Sequence, residues 1–206
     1  MCGMFFTLNK EYIPRLQELN ARRGGVNESL TETHLYYFDD KAYIGHYQAH
    51  TSTVSRSHPH KYEHRNHGGL DESRMWHNGI LKESQIKSLQ EKFNTDEEWD
   101  TALLHQYIIR NYDLSEIDGS FAVMIEYEYC DQKYLYFARN ELVPLFMNRE
   151  KFILSSVKVP ELGVTELIEA GKWHMFVDQE SVDIFENYVE NNMLNPFTTK
   201  NNPYAL

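Results

Sequence analysis

Two helix-like segments in the middle of the chain separate two groups of strand-like segments. Apolar residues recur three and four positions apart over 83–93 and 97–111, as in Ile86, Leu89 and Phe93, which predicts two helices. The strand-like segments are rich in aromatic residues, which favours a β-rich core. Strands on both sides of a helical pair suit two antiparallel sheets packed face to face with helices outside. We therefore expect an α+β fold, a four-layer αββα sandwich of two antiparallel sheets.

The other predicted elements follow from apolar patterns and turn residues. A helix is predicted over 12–23, because Ile13, Leu16 and Leu19 stand at helical spacing and two glycines follow. Residues 52–73 are polar, contain many histidines and lack periodicity, which predicts a long loop. Strands are predicted over 4–6, 35–38, 42–47, 75–76, 120–129, 133–139, 144–147 and 152–155. The last four are predicted to form an antiparallel meander.

Length and charge limit the class of protein. A chain of 206 residues can bury a full core, so we expect one domain over 1–186 followed by an Asn-rich tail over 187–206. The net charge is −11 with no cluster of Lys and Arg, which argues against direct nucleic-acid binding. Cys2 and Cys130 are far apart, and neither a secretory signal nor a long apolar segment is present. We expect a cytoplasmic protein that does not bind a membrane.

The cysteine at position two has a specific chemical possibility. A small residue there usually lets the cell remove Met1, which would leave Cys2 with a free α-amino group. That amine can act as general base for the thiol of the same residue, as in N-terminal nucleophile enzymes. The alternative is that Cys2 is an ordinary small, half-buried residue at the start of a strand.

Several short motifs follow Cys2 in a recognisable order. They are Met-Cys-Gly, Arg23-Gly24-Gly25, Ala49-His50-Thr51, His58-Pro59-His60, Trp76-His77-Asn78-Gly79 and Asp100-Thr101, then the segments 117–122, 138–140 and 144–146. In this order the chain resembles the glutaminase domain of class II glutamine amidotransferases, from Cys2 to about residue 156. The resemblance implies the N-terminal nucleophile hydrolase fold and hydrolysis of the glutamine side-chain amide without a cofactor.

The resemblance also implies roles for individual residues. Cys2 would be nucleophile and, through its α-amine, base. The side-chain amide of Asn78 and the backbone N–H of Gly79 would form the oxyanion hole. An Asn-Gly pair is also the commonest hairpin dipeptide, so a tight turn is the alternative for these two residues.

Recognition of the amino acid part of glutamine needs charged groups. Asp100 stands in a position that resembles that of the family's ammonium-binding Asp, and the alternative for it is a solvated carboxylate on a helix face. His77 is placed with the substrate-binding residues beside Asn78. Where the family usually carries Arg, this chain has Ser52. Arg56 is either the replacement cation for the substrate carboxylate or a surface cation. Hydroxyl contacts are expected from Ser52, Thr53 and Ser55.

The product ammonia implies a partner. About fifty residues follow the matched region, too few for a synthetase domain, so we expect a separate ammonia-accepting synthetase or transferase protein. Ser52 leaves a second hypothesis open, hydrolysis of another γ-glutamyl amide. A third is a non-catalytic binding subunit that keeps the fold. No metal is expected, because the histidines over 50–77 do not follow a zinc-ligand spacing.

Overall fold

The computed structural model describes residues 2–24, 27–49, 56–66, 69–110, 114–129 and 131–176. Within them lie three α-helices, α1 (Ile13–Gly24), α2 (Glu83–Phe93) and α3 (Asp100–Ile109). The strands of the same described ranges are β1 (Gly3–Thr7), β2 (Asn27–His34), β3 (Lys41–Gln48), β4 (His60–Asn66), β5 (Gly69–Leu81), β6 (Gly119–Tyr129), β7 (Gln132–Arg139), β8 (Phe146–Asn148), β9 (Ile153–Ser155), β10 (Glu166–Leu167) and β11 (Trp173–Met175).

The strands form two antiparallel sheets. In the first sheet the order is β10-β8-β9-β1-β3-β2, so β1 lies in its interior between β9 and β3. In the second sheet the order is β11-β7-β6-β5-β4. The start of β1 and the end of β5 therefore belong to different sheets, and any contact between them crosses the sandwich.

Three apolar layers show how the elements stack. One lies between the sheets and contains Met4, Phe6, Ile44, Trp76, Met124 and Phe137. A second layer joins the outer face of the second sheet to α2 and α3, and a third joins the outer face of the first sheet to α1. The order of layers is α1, first sheet, second sheet, then α2 with α3. The expected αββα sandwich is confirmed.

The predicted strand over 35–38 is wrong. Residues 36 and 37 form a turn, and the strand of this region is β2 over 27–34. Its sequence, NESLTETH, is polar, as suits the outer strand of a sheet, and Glu32 and His34 are exposed there. Apolar periodicity therefore did not mark it.

The long loop predicted over 52–73 is also wrong over residues 60–66 and 69–73, while the described residues 56–59 belong to no helix or strand. Residues 60–66 form β4, which pairs with the first half of β5. β4 is the outer strand of the second sheet, which again accounts for its polar sequence. The short strand predicted at 75–76 is the middle of the 13-residue strand β5.

The predicted meander over 120–155 is divided between the sheets. β6 and β7 pair in the second sheet, whereas β8 and β9 cross to the first sheet, where β9 pairs with β1. Each hairpin was predicted correctly, but hairpin pattern alone does not say to which sheet a hairpin belongs.

The helix predicted over 97–111 begins at Asp100 instead, since residues 97–99 lie outside the helix and lead into it.

Two further observations concern membrane-spanning helices and the C-terminal tail. No helix in the described ranges is both long enough and apolar enough to cross a membrane. The predicted boundary between residues 186 and 187, and the tail beyond it, lie outside the described residues.

Candidate active site

Cys2 lies directly before β1 and is 6% exposed. Its Sγ donates to the carbonyl oxygen of Ala49 at 4.0 Å. Gly3, the next residue, lets α1 pack against this end of the strand, since a Cβ there would lie 2.2 Å from the carbonyl oxygen of Asn20. Burial raises the pKa of the Cys2 thiol, so at neutral pH the thiol is protonated and needs a base to become a nucleophile.

Two charged side chains lie close enough to Cys2 to act on its pKa. Asp100 raises the pKa of the thiol and Arg23 lowers it, both more weakly than burial. Arg23 is near the end of α1, where its guanidinium donates to the carbonyl oxygen of Ser156. A cation and a carboxylate from separate helices thus converge on the cysteine.

Asn78 and Gly79 lie in β5, opposite Ala122 and Phe121 of β6. The alternative that these two residues form a tight turn is therefore wrong. Asn78 is fully buried, and its side chain reaches the first sheet, where Nδ2 donates to Ser156 Oγ at 3.2 Å. Oδ1 of Asn78 has no hydrogen-bond partner among the described residues. A buried amide with one end unpaired can bind a polar ligand atom.

Gly79 lies beyond the part of β5 that pairs with β4. β4 pairs with β5 only up to Met75, and beyond that residue no strand among the described residues pairs with the edge of β5 away from β6. In an antiparallel ladder alternate residues direct their N–H groups to that edge. Leu81 does so and donates its N–H to Asp100 Oδ2 at 3.3 Å. The same alternation predicts that the N–H of Gly79, two residues earlier, points to this side as well.

The close approach of β6 explains why this position is glycine. A Cβ on Gly79 would lie 1.8 Å from the carbonyl oxygen of Ser120. That oxygen belongs to the backbone of β6, so it cannot move aside without disturbing the sheet.

Asp100 is the first residue of α3 and is partly exposed. Besides the Leu81 N–H, its carboxylate accepts the N–H of Thr101 on Oδ1 at 2.8 Å. The N-terminus of a helix stabilises a carboxylate. The Asp100 carboxylate is thereby held beside this edge of β5, in a position to bind an ammonium group.

His77 faces the opposite side of β5 from Asn78, as alternate residues of a strand do. Its Nδ1 lies 3.1 Å from Thr101 Oγ1, and its carbonyl oxygen accepts from Nε2 of His46 at 3.0 Å. The ring of His46 stacks on that of His58 at a centroid distance of 3.9 Å. The structure thus places His77 between β5 and α3, and its predicted substrate contact stays a prediction.

These histidines are buried, and burial lowers their pKa values. The pKa of His46 falls to about 4, and the pKa of His58 falls well below its ordinary value. Burial also lowers the pKa of His77. The rings are therefore neutral at pH 7. Among the described residues, no group of three or more His, Cys, Asp or Glu side chains is arranged to hold a metal ion.

Arg56 lies at the rim of this region. Its guanidinium forms an ion pair with Glu97 at 2.8 Å and stands over the ring of Trp99, 5.8 Å from the ring centroid. Its side chain is 55% exposed. Trp99 immediately precedes Asp100, so Arg56 is near the start of α3 and already paired with a carboxylate. Ser52, Thr53 and Ser55 lie outside the described residues, as do His50 and Cys130.

The structure adds residues for which no role was predicted from the sequence. Arg23 belongs to the Arg23-Gly24-Gly25 motif, for which no function was predicted. Its position near the end of the predicted helix was the signal that could have identified it. Ser156, which contacts both Arg23 and Asn78, directly follows the strand predicted over 152–155 and its last residue, Ser155. Strand alternation puts Ser155 and Ser156 on opposite faces, but the sequence does not say which one faces the site.

Comparison with known proteins concerns the fold. No family model and no curated protein matches the sequence. Glutamine phosphoribosylpyrophosphate amidotransferase from B. subtilis, solved with ADP and GMP, matches with a TM-score of 0.61 and 17% identity. The match covers 87% of this chain and 48% of that one, so the chain spans about half of its length.

A second solved structure is described as a predicted glutamine amidotransferase from Pseudomonas aeruginosa PA01. It matches with a TM-score of 0.32 and 14% identity over 85% of this chain and 84% of that chain, and this likeness carries no weight. The B. subtilis match, at 17% identity, establishes that the two proteins share the αββα architecture. What the site does has to be argued from its own geometry.

Proposed function

We propose that this protein is a glutaminase of the class II amidotransferase kind, with Cys2 as its nucleophile. The observation that carries the proposal is the convergence of Cys2, Asn78, Gly79 and Asp100 from three elements that are distant in the sequence. Asp100 acts electrostatically on the Cys2 thiol and binds the end of β5, two residues beyond Gly79. Ser156 contacts both Asn78 and Met4, which is two residues after Cys2.

The proposed reaction begins with removal of Met1, which frees the α-amine of Cys2. That amine takes the thiol proton, and Sγ attacks the side-chain carbonyl carbon of glutamine. The oxygen of the tetrahedral intermediate receives hydrogen bonds from the Asn78 amide and the Gly79 N–H. The amine returns the proton to the leaving nitrogen, which departs as ammonia and leaves a γ-glutamyl thioester. Water, deprotonated by the same amine, hydrolyses the thioester to glutamate and restores the thiol.

A buried thiol suits this mechanism. Because burial holds the Cys2 pKa up, an isolated thiolate would be rare at pH 7, and a base within the same residue removes the need for one. Arg23 favours the thiolate once it forms. The enzyme would thus keep an unreactive thiol until a base and a substrate are both in place.

Asp100 is the proposed partner of the substrate α-ammonium group. We assign the α-carboxylate to Arg56 with hydroxyl groups from Ser52, Thr53 and Ser55. For this role Arg56 would have to share its guanidinium between Glu97 and the substrate, or leave Glu97 when glutamine binds.

The proposed use of the ammonia is transfer to a separate synthetase or transferase protein. The B. subtilis protein is itself named an amidotransferase, and this chain matches about half of it. We propose that a partner supplies the acceptor activity here.

A steady-state assay with glutamine alone tests the proposal. Protein whose intact mass shows the loss of Met1 is expected to release ammonia and glutamate in equal amounts. Cys2→Ala is expected to abolish both products while the circular dichroism spectrum is retained. Cys130→Ala, which removes the other cysteine of the sequence, is the matched control and is expected to keep full activity. Undiminished turnover by Cys2→Ala would disprove the mechanism.

A second candidate activity is hydrolysis of another γ-glutamyl amide. The ion pair between Arg56 and Glu97 favours it, because a cation already paired with a carboxylate binds a second one less well. Comparing kcat/KM for glutamine and for a series of γ-glutamyl amines separates the two activities. If Met1 is absent and no amide turns over, the hypothesis of a non-catalytic binding subunit is favoured instead.

A further inference from the structure

Ser156 joins three parts of the site. It follows β9 directly and is fully buried. Its N–H donates to the carbonyl oxygen of Met4 at 2.9 Å, and its Oγ accepts the N–H of Met4 at 3.1 Å. The same Oγ lies 3.2 Å from Asn78 Nδ2, and its carbonyl oxygen accepts from Arg23. One serine thus contacts the strand that carries the nucleophile, the candidate oxyanion amide and the nearby cation.

The hydroxyl of Ser156 substitutes for a backbone group. In a regular antiparallel ladder, two hydrogen-bonded residues exchange both N–H···O=C bonds. Ser156 gives its N–H to Met4 in this way, but the N–H of Met4 goes to Oγ and not to the Ser156 carbonyl. That carbonyl is consequently available to Arg23. An alanine at this position keeps the backbone but has no hydroxyl oxygen to accept the N–H of Met4.

The hydrogen-bond count at Oγ bears on how Asn78 is oriented. A serine oxygen accepts two hydrogen bonds and donates one. With Nδ2 of Asn78 facing it, Oγ accepts from both Met4 and Asn78, and Asn78 Oδ1 has no partner among the described residues. Turning the amide by half a rotation lets the Ser156 O–H donate to Oδ1. The two ends of an Asn amide are assigned from such a network.

The turned amide also has the polarity that the reaction needs. An oxyanion requires a donor, so Nδ2 and not Oδ1 must face the substrate. We propose that Ser156 is a positioning residue, which donates its hydroxyl proton to Asn78 Oδ1 and thereby directs Nδ2 of Asn78 into the oxyanion hole. This inference rests on the proposed function, because it explains how one of the two oxyanion donors is held.

The neighbouring Ser155 offers a matched control. It is equally buried, but its Oγ accepts from Asn20 of α1 at 3.0 Å and from the N–H of Val157 at 3.2 Å. Ser155→Ala therefore removes a buried hydroxyl of the same size without touching Asn78. Its melting temperature is expected to fall, while kcat stays within about threefold of wild type.

A double-mutant cycle tests whether Ser156 acts through Asn78. Asn78→Ala is expected to lower kcat by about 10²–10³. Ser156→Ala is expected to lower kcat at least about tenfold with KM within about threefold, because the loss is confined to the transition state. In the Asn78→Ala background, Ser156→Ala is expected to have no further effect beyond about twofold. Independent, multiplying effects of the two substitutions would overturn the proposal.

Ser156→Thr covers the case in which the alanine variant does not fold. It keeps the hydroxyl, so its kcat is expected to be clearly higher than that of Ser156→Ala. If Ser156→Ala is unfolded, Ser156→Thr is expected to show measurable turnover with an unchanged KM. A folded Ser156→Thr without turnover would contradict the proposal, since the donor is still present.

A second readout does not depend on activity. The side-chain amide signals of Asn78 in a ¹H–¹⁵N spectrum can be identified by their loss in Asn78→Ala. They are expected to shift in Ser156→Ala and to stay in place in Ser155→Ala. Unmoved signals in Ser156→Ala would overturn the inference even if wild type were active. Absence of turnover by the wild-type protein lacking Met1 would count against the proposed function, while the spectrum would still decide the role of Ser156.

Discussion

At the scale of single residues, the site is defined by how a few charges act on one thiol. Burial and Asp100 raise the pKa of Cys2, and Arg23 lowers it. Asp100 belongs to α3 and Arg23 to α1, so their opposite effects on the pKa of Cys2 arise from the fold and not from the local sequence. Asp100 serves in addition as the fixed charge proposed to bind the substrate ammonium group.

Asp100→Asn should separate these two roles. Removal of the negative charge favours the thiolate, so the pKa of Cys2 is expected to fall and alkylation of Cys2 by iodoacetamide should reach its plateau rate at lower pH. The KM for glutamine is expected to rise at least about tenfold, as for loss of a charge-assisted contact. The exposed Asp96→Asn is the control and should change neither quantity. An unchanged KM would remove Asp100 from the substrate pocket.

At the scale of elements, the end of β5 is tied to the start of α3 by neighbouring side chains. Asp100 accepts the N–H of Leu81, and Thr101 Oγ1 lies 3.1 Å from His77 Nδ1 and 3.4 Å from His58 Nε2. The junction therefore fixes where Asp100 stands relative to Gly79. It also explains why His77 is buried although it adjoins the candidate oxyanion amide.

A pair of Thr→Val substitutions tests how much this junction contributes to the free energy of unfolding. Thr101 and Thr33 are both buried, but Thr33 Oγ1 has no hydrogen-bond partner among the described residues. Thr101→Val leaves polar groups of two histidines unpaired and is expected to lower the free energy of unfolding by about 1–3 kcal/mol. Thr33→Val removes an unpaired hydroxyl from β2 and is expected to be neutral or stabilising. Urea unfolding of both variants measures the contrast, and equal losses would contradict it.

The elements that sequence predicted well are those with an apolar face toward a core. Helix α2 was predicted with the bounds it has, because Ile86, Leu89 and Phe93 mark the face that packs on the second sheet. β2 and β4 were missed because they are outer strands with polar sequences. Outer strands are set by pairing with a neighbour, and single-sequence periodicity does not report pairing.

The candidate site could be predicted only in part, because a single sequence also does not report how strands and layers contact one another. The motifs placed Cys2, Asn78, Gly79 and Asp100 together, and the structure brings them to one region. Ser156 and the orientation of His77 depend on which face of a strand meets which layer. That information arises only when the sheets stack.

At the scale of the whole molecule, the buried histidines link stability to pH. His46, His58 and His77 connect the first sheet, the second sheet and α3 as neutral rings. Protonating any of them inside the sandwich would bury a charge. The sandwich is therefore expected to lose stability in mild acid.

His46 gives the size and sign of this effect. Its pKa is about 4 in the folded protein and about 6.5 when unfolded, so between these values the unfolded chain binds more protons. The stabilising contribution is complete above about pH 6.5 and is lost as pH falls toward 4, by on the order of 3 kcal/mol.

Urea unfolding at a series of pH values measures this loss. His46→Gln is expected to be less stable at pH 7, because it loses the ring packing, but to show a smaller loss between pH 6.5 and 4. His34→Gln on the exposed side of β2 is the control and should follow the wild-type profile. A wild-type profile that is flat over this range would contradict the account.

The central claim is that Cys2 attacks a glutamine side chain. Its most direct test is acid quenching of the Met1-free protein during turnover of glutamine, followed by intact-mass and peptide mass spectrometry. The account predicts a fraction of protein heavier by one γ-glutamyl group, with the added mass on the peptide that begins with Cys2 and absent from Cys2→Ala. Turnover with the adduct on another residue, or turnover that persists in Cys2→Ala, would contradict it.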